Sequence, residues 1–200
     1  MKIIIIGATG TIGKHVVNLL EQEHTVVKVG HSRGDYQVDI ASKDSIEKLF
    51  KQVGRFDALV STSGLAKFGA LKELTDQDYM LGLTNKLMGQ VNLMRIGLNY
   101  INDKGSFTLT SGVLSQEPMP GSVSISMVNA ALEGFVRAAA LEMERGVRIN
   151  VVSPVFAKET MEMMGMDNSR GMPAVQFAPS YKESIEGKRN GELLDVRNFS

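Results

Sequence analysis

Apolar residues recur along this chain in two rhythms. Residues 3–6 are four isoleucines in unbroken series, which predicts a strand buried on both faces, as in a parallel sheet covered by helices on each side. Similar runs predict strands over Thr25–Val29, Asp57–Val60, Phe107–Thr110, Val147–Val152 and Gly191–Val196, with a short strand over Tyr36–Ile40 ending near Asp39. Between them the apolar positions take helical spacing. Ile12, Val16, Val17, Leu19 and Leu20 form one stripe, and Ile46, Leu49, Phe50 and Val53 form another in a helix over Ser42–Val53 that Ser42 caps. A long helical stretch runs from Thr75 to about Ile101 with Leu83, Leu87, Val91, Met94 and Leu98 on one side. An alanine-rich helix covers Gly121–Met143, and a last helix lies near Val175–Glu186. Strands alternating with helices predict an α/β fold, a doubly wound seven-stranded parallel sheet flanked by helices on both faces. Its 200 residues suit a single domain, residues 1–200, without internal repeats.

Gly7, Gly10 and Gly13 follow the isoleucine strand at once and open the first amphipathic helix. That spacing lets the chain turn tightly, bring its backbone against a pyrophosphate, and aim helix N–H groups and a positive dipole end at the anion. A glycine triad alone is weak; directly after a buried strand and before a helix it meets the context expected of a dinucleotide site. The end of the second strand, Gly30-His31-Ser32-Arg33-Gly34, then lies beside the adenosine ribose. An acid there selects a free 2′-hydroxyl and a base accommodates a 2′-phosphate. His31, Ser32 and Arg33 offer donors and a positive charge, and the nearest acid, Asp35, follows a redirecting glycine. NADP is therefore expected over NAD; the alternative is that Arg33 is a solvated turn residue.

Composition narrows the partners. Lysine plus arginine equals aspartate plus glutamate, 22 each, so there is no basic surplus for counterion release, and neither nucleic acid nor an acidic membrane is an expected partner. The chain has no cysteine, which removes disulfides and thiolate metal sites and fits a cytoplasmic location. The first strand starts at residue 2, no signal peptide is expected, and no apolar run approaches the roughly 20 residues of a membrane span. His15, His24 and His31 lack helical spacing with carboxylates, so no metal is expected. No Gly-x-Ser-x-Gly elbow supports a hydrolase.

Several motifs in order now resemble the short-chain dehydrogenase/reductase family over essentially the whole chain. They are the glycine turn, Asp39-Ile40 after the third strand, Ser61-Thr62-Ser63-Gly64 where the family usually has Asn-Asn-Ala-Gly, Leu-Thr-Ser at 109–111, and Arg148-Ile149-Asn150-Val151-Val152-Ser153-Pro154. The resemblance implies a Rossmann-type domain. It places the dinucleotide on Gly7, Thr9, Gly10, Thr11, Ile12, Gly13, His31, Ser32, Arg33, Asp39, Ile40, Ser61, Ser63, Gly64 and Pro154. It also makes residues 161–173 a substrate lid, rich in methionine; the alternative is a mobile loop packing loosely on its own domain. By the same resemblance the long helix and the alanine-rich helix pair across a two-fold axis, with Met94, Leu98, Phe135 and Leu141 as the apolar seam of a homodimer or homotetramer.

The family's chemistry rests on a tyrosine whose phenol is acidified by a lysine four residues later, helped by a serine and a relay asparagine. Asn129-Ala130-Ala131-Leu132-Glu133-Gly134-Phe135 resembles the family's Lys-Ala-Ala-Leu-Glu-Gly-Leu. The lysine position is then Asn129, the tyrosine position Ile125 and the serine position Gly112, with Ser111 one place earlier. Lys86-Leu87-Met88-Gly89 matches the family's Asn-Leu-x-Gly, which puts Lys86 at the asparagine site, although Asn85 beside it leaves a second register open. Lys86, Ser111 and Asn129 are the candidate catalytic residues, with the lysine and asparagine exchanged across the cleft. Two functions stay open. One is an NADP(H)-dependent oxidoreductase with a displaced proton donor, and the other a non-catalytic NADP(H)-binding sensor or regulator.

Overall fold

The computed structural model describes residues 1–199. Its strands are β1 (Lys2–Ile6), β2 (Thr25–Gly30), β3 (Tyr36–Gln37), β4 (Phe56–Ser61), β5 (Ile101–Thr110), β6 (Arg148–Ser153) and β7 (Leu193–Asp195). The helices are α1 (Gly13–Leu20), α2 (Lys43–Val53), α3 (Asp76–Leu81), α4 (Met88–Gly97), α5 (Val123–Ala139), α6 (Lys158–Met163) and α7 (Ala178–Glu186). All strands pair in parallel in one seven-stranded sheet of order β3-β2-β1-β4-β5-β6-β7. The order reverses between β1 and β4, and ligands of open α/β sheets sit beyond the carboxyl ends of the strands at such a switch point.

The isoleucines of β1 show why the sheet is covered twice. Side chains alternate across a strand, so Ile4 and Ile6 enter one core with Phe50, Val91 and Leu132, while Ile3 and Ile5 enter the other with Val16, Val17 and Tyr181. Each is at most 1% exposed, and full burial of such a side chain contributes about 1.5–3 kcal/mol. Helices α2, α4 and α5 thus cover one face, and α1 and α7 the other. Ser42 caps α2 as expected, its hydroxyl accepting from Ser45 N at 3.2 Å.

Four expectations change. The third strand stops at Gln37 because Asp39 turns the chain: its carboxylate accepts from Ala41 N at 2.9 Å and its carbonyl from Ser42 N at 3.1 Å. The stretch from Thr75 is not one helix. Thr75 and Asp78 form a reciprocal capping box at the start of α3, a π-helical turn over Gly82–Leu87 comes next, and α4 ends at Gly97, so Ile101 already lies in β5. Gly97 packs against Phe107 and Phe50, whose ring atoms lie 3.0 and 3.2 Å from where a Cβ would stand. The alanine-rich helix is shorter than expected, starting at Val123 and ending at Ala139. Finally, the first residues of the loose segment belong to α6, which begins earlier at Lys158, and Met172 returns beside Ala157 in an isolated parallel bridge.

The expected apolar seam is also corrected. Met94 is 3% exposed and points into the core, and Leu98 and Phe135 are half-buried against that core. Of the four, only Leu141 is exposed.

Candidate dinucleotide and substrate cleft

The glycine turn closes on itself. Gly7 has φ +83° and its N–H donates to Val29 O at 2.8 Å; Gly10 N donates back to Gly7 O at 2.9 Å. A Cβ on Gly13 would collide with Gly7 O and stand 2.8 Å from Gly7 C, so only a bare Cα lets α1 begin this close to β1. Thr62 completes the turn from β4, its hydroxyl donating to Ile6 O at 3.1 Å and lying 2.7 Å from where a Cβ on Gly7 would be. The first turn of α1 has no acidic residue and no side-chain cap. The main-chain N–H groups of Thr11, Ile12 and Gly13 have no acceptor among the described residues. These features together suit an anion.

Two hollows flank Ser63 and Gly64. One, of about 210 Å³, is lined by Gly30, His31, Asp39, Ile40, Ser63, Gly64 and Asn85 among others. The second, of about 370 Å³, contains Ile12, Ser63, Gly64, Lys86, Ser111, Ile125, Asn129 and Pro154. Of the residues assigned to the dinucleotide, the structure therefore brings Ile12, His31, Asp39, Ile40, Ser63, Gly64 and Pro154 to the cleft, beside the turn that holds Gly7, Thr9, Gly10, Thr11 and Gly13. Ser32 and Arg33 are exposed at its outer end. Arg33 makes no side-chain hydrogen bond or ion pair among the described residues, whereas the Asp35 carboxylate accepts from Lys28 N at 2.8 Å and is tied back to β2. Ser61 is a correction. It is fully buried within the sheet, where its carbonyl accepts from the Thr110 hydroxyl, and it reaches neither hollow. A larger groove of about 520 Å³, between α2 and α4, touches none of these residues.

Lys86 and Asn129 meet in the second hollow. Nζ of Lys86 donates to Ser111 O at 3.1 Å, and Nδ2 of Asn129 donates to the next carbonyl, Gly112 O, at 3.2 Å. The π-helical turn delivers the lysine, and such turns gather at functional sites. Its stem crosses Gly64, where a Cβ would stand 2.7 Å from Lys86 Cγ. Gln90, fully buried, locks the turn to the sheet by donating to Lys86 O and Thr110 O and accepting from Thr110 N. Asn85 goes elsewhere: its Oδ1 accepts from Leu65 N and the residue lines the first hollow. Of the two registers, it is Lys86 that reaches Asn129's side of the cleft.

Burial disfavours the charged amine and lowers the Lys86 pKa to about 8. Ser111 adds its carbonyl rather than its hydroxyl, which turns toward Val152 O at 3.5 Å. Gly112, at φ +154°, leaves the space beside Asn129, since a Cβ there would stand 3.0 Å from Nδ2. Ile125 presents a hydrocarbon wall. Sequence reasoning did not place Thr62, Phe68 or Phe156. The two rings, 6.4 Å apart, belong to loops whose closeness no local pattern signals.

Comparison with known proteins agrees with the fold. Residues 7–199 match the family model described as enoyl-(acyl carrier protein) reductase. Hydroxynaphthalene reductase arp2 of Aspergillus fumigatus is 29% identical over 146 residues, 70% of this chain and 54% of that protein. A 3-oxoacyl-[acyl-carrier-protein] reductase, FabG of Thermotoga maritima, is 25% identical over 183 residues, 79% of this chain and 74% of that protein. The chain thus spans about half the length of the first of these relatives. Among solved structures, protein lin1944 from Listeria innocua is 41% identical with a TM-score of 0.94, covering 98% of this chain and 99% of that one. A small-chain dehydrogenase in complex with NADPH shares the fold at 24% identity and a TM-score of 0.86, covering 98% and 95%.

Proposed function

The chain belongs to the short-chain dehydrogenase/reductase family, and from that premise we propose that it is an NADP(H)-dependent oxidoreductase in which Lys86 handles the proton. The observation that carries this reading is a half-buried amine that shares a hollow with Asn129 in a cleft that opens at the switch point, next to the glycine turn. A nicotinamide dinucleotide, when bound, supplies or accepts hydride. Free amides at Thr11, Ile12 and Gly13 and the cradle at Gly7 and Gly13 suit its pyrophosphate. His31, Asp39 and Ile40 suit the adenosine end, and Pro154 the far end.

The protein's own part is to orient a carbonyl and exchange its proton. Lys86 as an ammonium donates a proton to the developing alkoxide oxygen and is left as a neutral amine, which regains its proton from solvent. A group with a pKa of about 8 can do both near neutral pH. Ile125 cannot take part in this exchange, and Asn129 can only accept or donate a hydrogen bond.

The test records nicotinamide absorbance while purified protein is titrated with NADPH and NADH and then with a panel of carbonyl compounds. Oxidation of NADPH supports the reading. Binding without oxidation across the panel favours a dinucleotide sensor, and failure to bind either dinucleotide rejects both. The 2′-phosphate is assigned to Arg33, free in the loop while Asp35 is engaged. Arg33→Ala is expected to weaken NADPH by roughly tenfold, the worth of one charge-assisted contact, and NADH hardly at all; equal effects reject that assignment.

A homo-oligomer through α5 is part of the same proposal. Val123, Met127, Ala130 and Ala131 are exposed along that helix, with Met88 exposed on α4. Met127→Glu is expected to lower the mass seen by light scattering, and a monomer in the unaltered protein would reject an oligomer.

A further inference from the structure

Asn129 holds an unspent acceptor. Its Nδ2 donates to Gly112 O, which fixes the amide's orientation, and its Oδ1 is enclosed without a hydrogen-bond partner in a side chain only 1% exposed. A buried carbonyl oxygen left without a donor is unfavourable, so a ligand that brings a donor there is favoured. Lys86 supplies the complement. An ammonium has three N–H donors, and Nζ spends one on Ser111 O, the carbonyl adjoining the one that Asn129 uses. The lining of this hollow includes no carboxylate and no cation other than Lys86. Phe68, Leu114, Ile125, Val155, Phe156 and Met164 make most of the rest apolar.

We infer that the substrates are uncharged ketones or aldehydes with a flat apolar tail and a hydroxyl or N–H group one or two atoms from the carbonyl. This rests on the role proposed for Lys86. The carbonyl oxygen accepts from Nζ, the neighbouring hydroxyl or N–H donates to Asn129 Oδ1, and the tail lies between Phe68 and Phe156. The two polar contacts orient the carbonyl, and the apolar walls exclude water from it.

The experiment measures calorimetric affinities of 2-hydroxyacetophenone, 2-methoxyacetophenone and acetophenone, for the protein alone and saturated with NADP⁺. The hydroxyketone is expected to bind roughly tenfold tighter than either analogue, the size of one satisfied buried hydrogen bond. Asn129→Leu should erase that preference while leaving the affinity for acetophenone unchanged. Equal affinities for the three probes, or no measurable binding of any, overturn the inference. So does a fall in NADPH affinity in Asn129→Leu as large as the fall for the hydroxyketone, because the orphan oxygen would then belong to the dinucleotide. A preserved hydroxyketone preference without NADPH oxidation would keep the recognition and reject the oxidoreductase reading. Oxidation with all three probes at equal affinity would do the reverse.

Discussion

Replacing Lys86 with methionine is expected to slow carbonyl reduction by about 10²–10⁴-fold, the usual contribution of a positioned general acid, while leaving NADPH bound. The pH dependence is the sharper readout. Reduction needs the protonated amine, so in the unaltered protein the rate should fall as pH rises through about 8, where Lys86 loses its proton. Lys86→Met should show no such fall, and Lys86→Arg, charged at every accessible pH, should be slow without restoring it. A full rate in Lys86→Met would remove the lysine from the chemistry.

Stability should move the other way. The folded pKa of about 8 lies below the ordinary lysine value of 10.5, so the unfolded chain binds more protons between those two values, and stability rises with pH across that window. Below about pH 8 the burial penalty is fully present. Lys86→Met therefore should raise the midpoint of thermal unfolding at pH 7 and flatten its rise toward pH 10. A side chain that weakens the fold and speeds the reaction is a common sign of function.

The second large effect is at Gly13. In Gly13→Ala the new methyl would collide with Gly7 O and stand 2.8 Å from Gly7 C, and main chain cannot step aside as a side chain can. The β1–α1 turn must open, at a cost of about 1–3 kcal/mol or more, and the amides aimed at the pyrophosphate should lose their alignment. NADPH affinity is expected to fall at least tenfold and the unfolding midpoint by several degrees. Gly134→Ala is the matched control. It lies inside α5 with nothing within 4 Å of the added carbon, so it should stabilise by about 0.5–1 kcal/mol through helix propensity. Normal NADPH binding by Gly13→Ala would mean that the dinucleotide lies elsewhere.

Burial decides which elements can be read from the sequence. The centres of β1, β2, β4 and β6 are buried on both faces and mostly apolar, so each is readable to within a residue or two despite Lys28, Asp57 and Asn150. The first half of β5 escaped because Asn102, Asp103, Lys104 and Gly105 carry polar side chains or none. That part pairs with the opening of β4 through an irregular register, with Lys104 at φ +62°. The π-helical turn escaped for a different reason, since a change of helical winding alters no residue type. Met94 enters the core beside Val91, as its place on the helical stripe predicts, and not the seam that the resemblance implied. Ser61 lies fully buried at the end of β4, and a motif gives order along the chain without saying how deep each side chain lies. Lys86 and Asn129 were legible only as departures from a family pattern. Their meeting in one cleft depended on the fold.

The sheet's outermost strands are its shortest, the two residues of β3 and the three of β7. A long open rim of unpaired main-chain groups is a template on which a second chain can add a strand. Here the rim on each side ends almost as soon as it begins, and beyond Gln37 the Asp39 turn leads the chain away from it. Brevity at both margins leaves little template for edge-to-edge pairing, and at β7 the charged Asp195, paired with Arg197, adds a second guard, so concentrated solutions should resist fibre formation.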